Sequence, residues 1–118
     1  MRPEIEAGKL PPQAPEFEQA ILGACLVESE CVDLVMGILR PRSFFVAAHE
    51  AVFSAIEALY EASSPIDLLT VTQELQRMRK LDMAGGPFFV SQLTNKVASS
   101  ANVEYHARIV QQCWAKRE

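Results

Sequence analysis

The stretch SSPIDLLTVTQELQRM, residues Ser63–Met78, places two serines and an acid ahead of an apolar series that ends among basic residues. Pro65 disfavours helical geometry in the residue before it, so the chain is expected to be extended here. Asp67 or Thr70 can then accept hydrogen bonds from the free N–H groups of a new helix, and Thr70 with Gln73 also has capping-box spacing. The residues predicted to face inward are Leu68, Val71, Leu75 and Met78. The polar residues therefore predict a helix start and not a reactive site.

Three helices are predicted before this stretch. The first begins at Pro15, because the first turn of a helix tolerates proline, and its apolar stripe is wide enough to be buried on more than one side. The second covers Glu30–Leu39, with Ser29 as its N-cap, and ends before Pro41. The third covers Val46–Glu61, where apolar residues share one face and glutamates lie largely opposite.

Two further helices are predicted after it. The segment LDMAGGP, residues 81–87, is typical of a turn in which Gly85 and Gly86 adopt positive φ angles. A fifth helix follows, with Phe88 or Phe89, Leu93 and Val97 facing inward. A last helix begins at the SSAN segment, with Ser99 or Ser100 as its cap. Because no alternating strand pattern or internal repeat occurs, the sequence predicts an all-α fold of about six short helices.

The composition is typical of a single globular domain. The chain has 118 residues, 49% of them hydrophobic, and a formal net charge of -4. That charge does not favour nucleic acid as the main ligand, because phosphate-backbone binding depends on dense Lys and Arg. Three cysteines, Cys25, Cys31 and Cys113, without a CxxC pair predict reduced thiols in the cytosol. No membrane-spanning run or signal peptide is present, so we expect a soluble, unexported, cytoplasmic protein without a membrane partner.

Neither histidine belongs to a set of residues typical of catalysis. His49 opens a helix, where a hydrogen bond to a backbone carbonyl or contact with solvent is expected. His106 lies two residues from Glu104, and residues so close in a helix point to different sides. The Gly85–Gly86 pair lacks the surrounding pattern of a phosphate-binding loop, and no metal, nucleophile or dinucleotide motif occurs. We therefore predict no catalytic, cofactor-binding or metal-binding residue.

The last helix contains a different kind of candidate site. It runs into AKRE without a Gly or Pro stop and has a tryptophan in its last turns. The apolar residues that are candidates for contact with another subunit are Val103, Val110, Cys113 and Trp114. Aromatic residues of this kind often anchor interfaces. The alternative is that these residues belong to the ordinary core of this chain.

An ordered set of residues resembles one family. The segment PPQAPEFEQAILGACL, residues 11–26, is similar to the opening of the N-terminal domain of DnaB-type replicative DNA helicases, which has two prolines, then Glu-x-Glu-Gln and Leu-Gly. The residues that follow in the family's order and spacing are His49, Val52, Phe53, the SPIDLLT segment, Leu81, Gly85, Gly86, the SSAN segment, Tyr105, Ile109 and Val110. The resemblance covers residues 11–112. The positions that depart from the family's usual residues are Pro15, Phe17, Glu50 and His106.

The resemblance implies a compact orthogonal bundle of helices that forms one part of a ring-shaped hexamer. In this family the motor that hydrolyses ATP with Mg²⁺ and moves 5′ to 3′ along DNA is a separate C-terminal RecA-like domain, so no cofactor is expected in this chain. The N-terminal domains form a collar as a trimer of dimers and, with the helical hairpin that follows, dock the C-terminal domain of primase. The expected partners are therefore other helicase subunits, primase and a helicase loader, without strong direct binding of nucleic acid.

Composition and resemblance together divide the chain into three parts. Residues 1–13, which contain three prolines, are expected to form a flexible arm. Residues 14–98 are expected to form a globular helical head. Residues 99–118 resemble the start of the helix that leads to the hairpin, with the hairpin, linker and motor absent. We expect this piece to fold, to lack ATPase activity, and to be a monomer or a weak dimer.

Two other functions remain open from the residues alone. One is a stand-alone helical adaptor that binds another protein through the same faces. The other is a helix-turn-helix DNA-binding domain that inserts Thr70–Lys80 into the major groove. Its support is the basic end of that helix, Arg77, Arg79 and Lys80, which also complements the negative end of a helix dipole.

Overall fold

The computed structural model describes residues 14–96 and 100–118, and the arm predicted at residues 1–13 lies outside them. In the described residues the backbone forms six α-helices, short 3-10 turns and no strand. The helices are α1 (Pro15–Val27), α2 (Glu30–Met36), α3 (Ala47–Glu61), α4 (Leu68–Arg77), α5 (Gly86–Gln92) and α6 (Val103–Arg117). The prediction of an all-α fold of about six short helices is confirmed.

Helix α1 lies at the centre of the bundle. It packs against α2, α3 and α6 and against the 3-10 turn Leu93–Asn95. Its buried apolar residues cover more than one side of the helix and are Ile21, Leu22, Ala24, Cys25 and Leu26. A helix with so wide an apolar surface needs neighbours on several sides. Helices α2, α3, α4 and α6 therefore pack around α1.

Helix α6 belongs to the same packed body. It lies along α1 and contributes Val103, Ala107 and Val110 to the main apolar core. Ile109 and Cys113 form a smaller apolar cluster with Ala14, directly before α1. The last helix is thus held to the first by most of its apolar residues.

Helix α2 begins at Glu30, as predicted, but its cap and its last residue differ from the prediction. Ser29 has helical angles, φ -61° and ψ -19°, and its side chain makes no cap hydrogen bond. A capping side chain requires an extended residue, so the prediction of Ser29 as a cap is wrong. The helix ends at Met36 and not at Leu39, and Arg40 Nη1 donates to the carbonyl oxygens of Met36 (2.6 Å) and Leu39 (2.9 Å).

Helix α4 begins with a reciprocal capping box. Asp67 is extended, with φ -153°, and its Oδ1 accepts a hydrogen bond from the Thr70 backbone N–H at 2.9 Å. The Asp67 backbone N–H donates in turn to Thr70 Oγ1 at 2.9 Å. Of the two caps that the sequence allowed, Asp67 is the one formed. The alternative box of Thr70 with Gln73 is wrong, because Thr70 is already inside the helix at its third position.

The start of α6 also differs from its prediction. Asn102 occupies the N-cap position of α6, and Ser100 begins a separate 3-10 turn, Ser100–Asn102. The prediction of Ser100 as the cap is therefore wrong, because the α-helix starts three residues later. The alternative cap, Ser99, lies outside the described residues.

The turn before α5 depends on its two glycines. Gly85 has φ +99° and Gly86 has φ +89°, which are angles that residues with a Cβ rarely adopt. A Cβ added at Gly85 would lie 2.8 Å from Phe89 Cγ, whereas one at Gly86 would meet nothing within 4 Å. Both positions need a positive φ angle, and Gly85 also needs the space.

Replacing Asp67 with Ala should lower the free energy of unfolding by about 1 kcal/mol, because α4 loses a cap acceptor. Urea denaturation measures the change. Asp67→Asn keeps an acceptor oxygen and is the matched control, with an expected loss of only a few tenths of that value. Equal losses in the two variants would contradict the cap.

Replacing Gly86 with Ala should cost about 1 kcal/mol of stability from backbone strain alone. Gly85→Ala should cost clearly more, because Phe89 must also move away from the new methyl group. The two variants differ by one position and have nearly the same φ angle, so each is the other's control in thermal unfolding. A Gly86 variant as unstable as the Gly85 variant would show that contact with Phe89 is unimportant.

Candidate functional site

A buried carboxylate joins α1 to the start of α3. Glu18 in α1 is 1% exposed, and its Oε2 accepts a hydrogen bond from the Phe45 backbone N–H at 2.7 Å. Its Oε1 accepts from the Val46 backbone N–H at 3.3 Å and lies 2.8 Å from His49 Nδ1. Val46 is the N-cap residue of α3 and makes no side-chain cap of its own. Glu18 therefore caps α3 from another helix.

The His49 side chain is buried and contacts Glu18. It is 1% exposed, its Nδ1 meets the carboxylate, and its ring stacks near Phe89 with centroids 6.2 Å apart. The expectation that His49 bonds a backbone carbonyl or solvent is wrong, because α1 brings a carboxylate to it. No local sequence pattern showed that Glu18 and His49 are neighbours, because they are 31 residues apart.

The segment between α2 and α3 is tied to the last helix. Its 3-10 turn, Pro41–Ser43, is closed by the Arg40 backbone N–H, which donates to Ser43 Oγ at 3.0 Å. Arg117 Nη2 in α6 donates to the Ser43 carbonyl oxygen at 2.8 Å. These contacts hold the turn against the C-terminal end of α6.

Two arginines lie over aromatic rings at this junction. The Arg42 guanidinium carbon is 5.6 Å from the centre of the Trp114 ring, and that of Arg117 is 5.3 Å from the centre of the Phe45 ring. Phe45 is 50% exposed, and Trp114 is partly exposed. We call these four residues the arginine–aromatic patch. Each pair is a cation–π contact that orients its guanidinium group.

Three of the four candidate interface residues of the last helix lie in this chain's own core. Val103, Val110 and Cys113 are between 1% and 4% exposed. They are core residues, because α1 already covers the apolar side of α6. Of the four, only Trp114 keeps accessible surface, and it does so within the arginine–aromatic patch.

A second exposed feature is an apolar groove between α4 and α5. It has a volume of about 610 Å³ and is lined by Asp67, Leu68, Leu69, Thr72, Pro87, Phe88 and Ser91. Leu69 is 66% exposed and Phe88 is 73% exposed. The sequence predicted that either Phe88 or Phe89 faces inward. Phe89 is the one that packs against the core, and Phe88 lines this groove.

The comparisons with known proteins agree with one another. Residues 10–112 match the family model described as DnaB-like helicase N terminal domain. The chain belongs to this family.

Proteins of the DnaB family resemble this chain in sequence over most of its length. The replicative DNA helicase DnaB of Rhodothermus marinus is 50% identical over 105 residues, which are 89% of this chain and 11% of that protein. DnaB of Geobacillus stearothermophilus is 39% identical over 92% of this chain and 24% of that protein. The chain therefore spans between about a tenth and a quarter of the length of these curated relatives.

Two solved structures of the family have the same fold. The N-terminal domain of DnaB helicase from Mycobacterium tuberculosis superposes with a TM-score of 0.87 at 36% identity, covering 91% of this chain and 76% of that one. A DnaB-like replicative helicase whose structure was described with its interactions with primase gives a TM-score of 0.79 at 25% identity, covering 88% of this chain and 24% of that one.

The basic end of α4 is partly used within this DnaB-family domain. Arg77 donates to both carboxylate oxygens of Glu74, and these hydrogen bonds lower the pKa of Glu74. α4 ends at Arg77, and Arg79 has a left-handed φ of +61°. Arg79 and Lys80 therefore lie beyond α4, the helix that a helix-turn-helix domain would insert into the major groove of DNA.

The three free cysteines are buried, and the described residues contain no cluster of metal ligands. Burial, with a smaller contribution from Cys31, raises the pKa of the Cys25 thiol to about 12, which keeps it protonated. No group of three or more His, Cys, Asp or Glu side chains within residues 14–96 and 100–118 could hold a metal ion. None of the described helices is long and apolar enough to cross a membrane.

Replacing Glu18 with Ala should lower the free energy of unfolding by about 3 kcal/mol, because each buried donor left without an acceptor costs about 1–3 kcal/mol. Chemical denaturation measures the loss. Glu16→Ala is the matched control: it removes the same charge from the same turn of α1 at an exposed position, and should cost only about 0.5 kcal/mol. Similar losses of unfolding free energy in both variants would show that Glu18 contributes only through the helix dipole.

Proposed function

We propose that this chain is the non-catalytic N-terminal collar domain of a hexameric replicative DNA helicase, in which it brings subunits together and docks primase. The observation that carries the proposal is the family match over residues 10–112. The similarity in fold to the Mycobacterium tuberculosis domain, at a TM-score of 0.87, supports it.

The parent protein, in this proposal, unwinds DNA 5′ to 3′ by hydrolysing ATP with Mg²⁺ in a separate motor domain. The low coverage of the curated relatives, 11% and 24% of their lengths, supports a longer parent. This chain supplies no catalytic group to that reaction. The parent works in the bacterial cytoplasm at the nucleoid-associated replisome.

Residues 14–98 act as the head of the collar, and residues 99–118 lead into the helical hairpin. α6 suits this role because its first turns are packed in the core while its last turn carries the half-buried Trp114 and Arg117. A collar needs such a rigid connection, since motion at the joint would uncouple the head from the hairpin. In the parent the heads pair as a trimer of dimers.

Primase, through its C-terminal domain, and a helicase loader are the partners in this proposal. The solved helicase that covers 88% of this chain was described together with its interactions with primase. Leu69 and Phe88 give the head an exposed apolar groove of a kind that protein partners occupy.

The purified chain should be a folded monomer or weak dimer without ATPase activity, and it should contribute to primase binding only as part of the parent. Light scattering at micromolar concentration and an ATPase assay test the first two points. A stable hexamer or measurable ATP hydrolysis by this chain would contradict them.

The partner role is tested in the parent helicase, with and without residues 1–118. Deletion should abolish binding of the primase C-terminal domain and weaken ring assembly, and should leave the ATPase site of the motor chemically intact. A truncated helicase that binds primase as tightly as the full protein would refute the docking role but not the family assignment.

A further inference from the structure

We propose that the arginine–aromatic patch, made by Arg42, Phe45, Trp114 and Arg117, is a docking site for a short acidic segment of a partner protein. A carboxylate of that segment pairs with the guanidinium edge of Arg42, and an apolar side chain beside it covers the exposed part of Phe45. This inference rests on the contacts of the patch and does not require the helicase assignment.

The first support is that both guanidinium groups are held in place before a ligand arrives. Arg42 is stacked over Trp114 and Arg117 over Phe45, at 5.6 Å and 5.3 Å from the ring centres. Arg117 is fixed further by its 2.8 Å hydrogen bond to the Ser43 carbonyl oxygen. An arginine with its guanidinium already oriented loses less conformational entropy when it binds an anion.

The second support is the unused hydrogen-bonding capacity of Arg42. Its side chain is exposed, and in the described part of the chain its contact is the face of the Trp114 ring, with no hydrogen bond or ion pair. Stacking uses the face of a guanidinium group and leaves its N–H edge available. That edge matches the two oxygens of a carboxylate in a bidentate pair.

The third support is the distribution of charge. Arg40, Arg42, Lys116 and Arg117 are four of the chain's 11 Lys and Arg residues, and they lie on the 3-10 turn segment and the last turn of α6, which contact each other. The chain has 15 Asp and Glu residues in all and a net charge of -4. The patch is thus a local basic area on a domain with a negative net charge, and it attracts short acidic ligands.

The small extent of the patch favours a peptide over single-stranded nucleic acid. Nucleic-acid channels combine a long basic track with aromatic faces on which successive bases stack. Here each arginine already covers one face of its ring, and a strand leaving the patch would meet an acidic domain. A short acidic segment needs only the patch itself.

The test is fluorescence anisotropy with the 118-residue chain and a labelled synthetic peptide that has several Asp and Glu residues around two leucines. At about 100 mM NaCl, where charges act over about 10 Å, the acidic peptide should bind and its Asn and Gln counterpart should not. Arg42→Gln should weaken acidic-peptide binding about fivefold, as expected for loss of one exposed ion pair. Arg42→Lys should have an intermediate effect, because it keeps the charge and loses the bidentate edge.

Arg108→Gln is the matched control, because it removes the same charge from another exposed arginine on α6, outside the patch. It should leave binding unchanged, and thermal unfolding should show that both glutamine variants are folded at the temperature of the binding assay. Failure of the acidic peptide to bind, equal binding of the neutral peptide, or equal losses in the two variants would overturn the proposal.

The same protein variants also test for two other occupants of the patch, single-stranded nucleic acid and a second copy of the chain. An oligo(dT) strand of about 15 nucleotides that binds more tightly than the acidic peptide, and loses affinity in Arg42→Gln, would assign the patch to nucleic acid instead. A change of molecular mass in light scattering between the unmodified chain and Arg42→Gln would assign it to a second copy of the chain. Either result would overturn the proposal.

Discussion

The carboxylate of Glu18 is the constraint on which much of this fold depends. It lies inside the bundle and accepts hydrogen bonds from the backbone N–H groups of Phe45 and Val46 while meeting His49 at 2.8 Å. A buried carboxylate without such donors would be strongly unfavourable, so α1 and the start of α3 are stable only together. The Glu18 side chain thereby has its own hydrogen bonds satisfied, caps α3 and fixes the distance between α1 and the start of α3.

The position of the arginine–aromatic patch follows from that constraint. The segment that Glu18 holds at Phe45 is the continuation of the 3-10 turn that carries Arg42, and the same segment accepts a hydrogen bond from Arg117. α6 reaches this turn because its apolar side is packed along α1. The patch therefore lies where α1, α6 and the turn meet, and its two arginines are oriented by elements that are already rigid.

Contacts across the bundle also explain residues that looked unusual in the sequence. Phe17 and His106 both depart from the residues usual in the DnaB family, and in the structure their rings stack with centroids 5.2 Å apart. One lies on α1 and the other on α6, so the two departures fall at one contact. The same packing explains why Val110 and Cys113 are core residues and why Trp114, at the edge of the contact, is not.

The sequence by itself determined the all-α class, most helix positions, the glycine turn and the family, because those features depend on local spacing and on ordered motifs. It also offered Asp67 as a cap, since a capping acid acts on backbone only three residues away. Only the tertiary structure decided the role of Glu18, the burial of His49 and the pairing of Arg117 with Ser43. These contacts join residues 27 to 74 positions apart, and no local pattern encodes which distant donor a buried acceptor will meet.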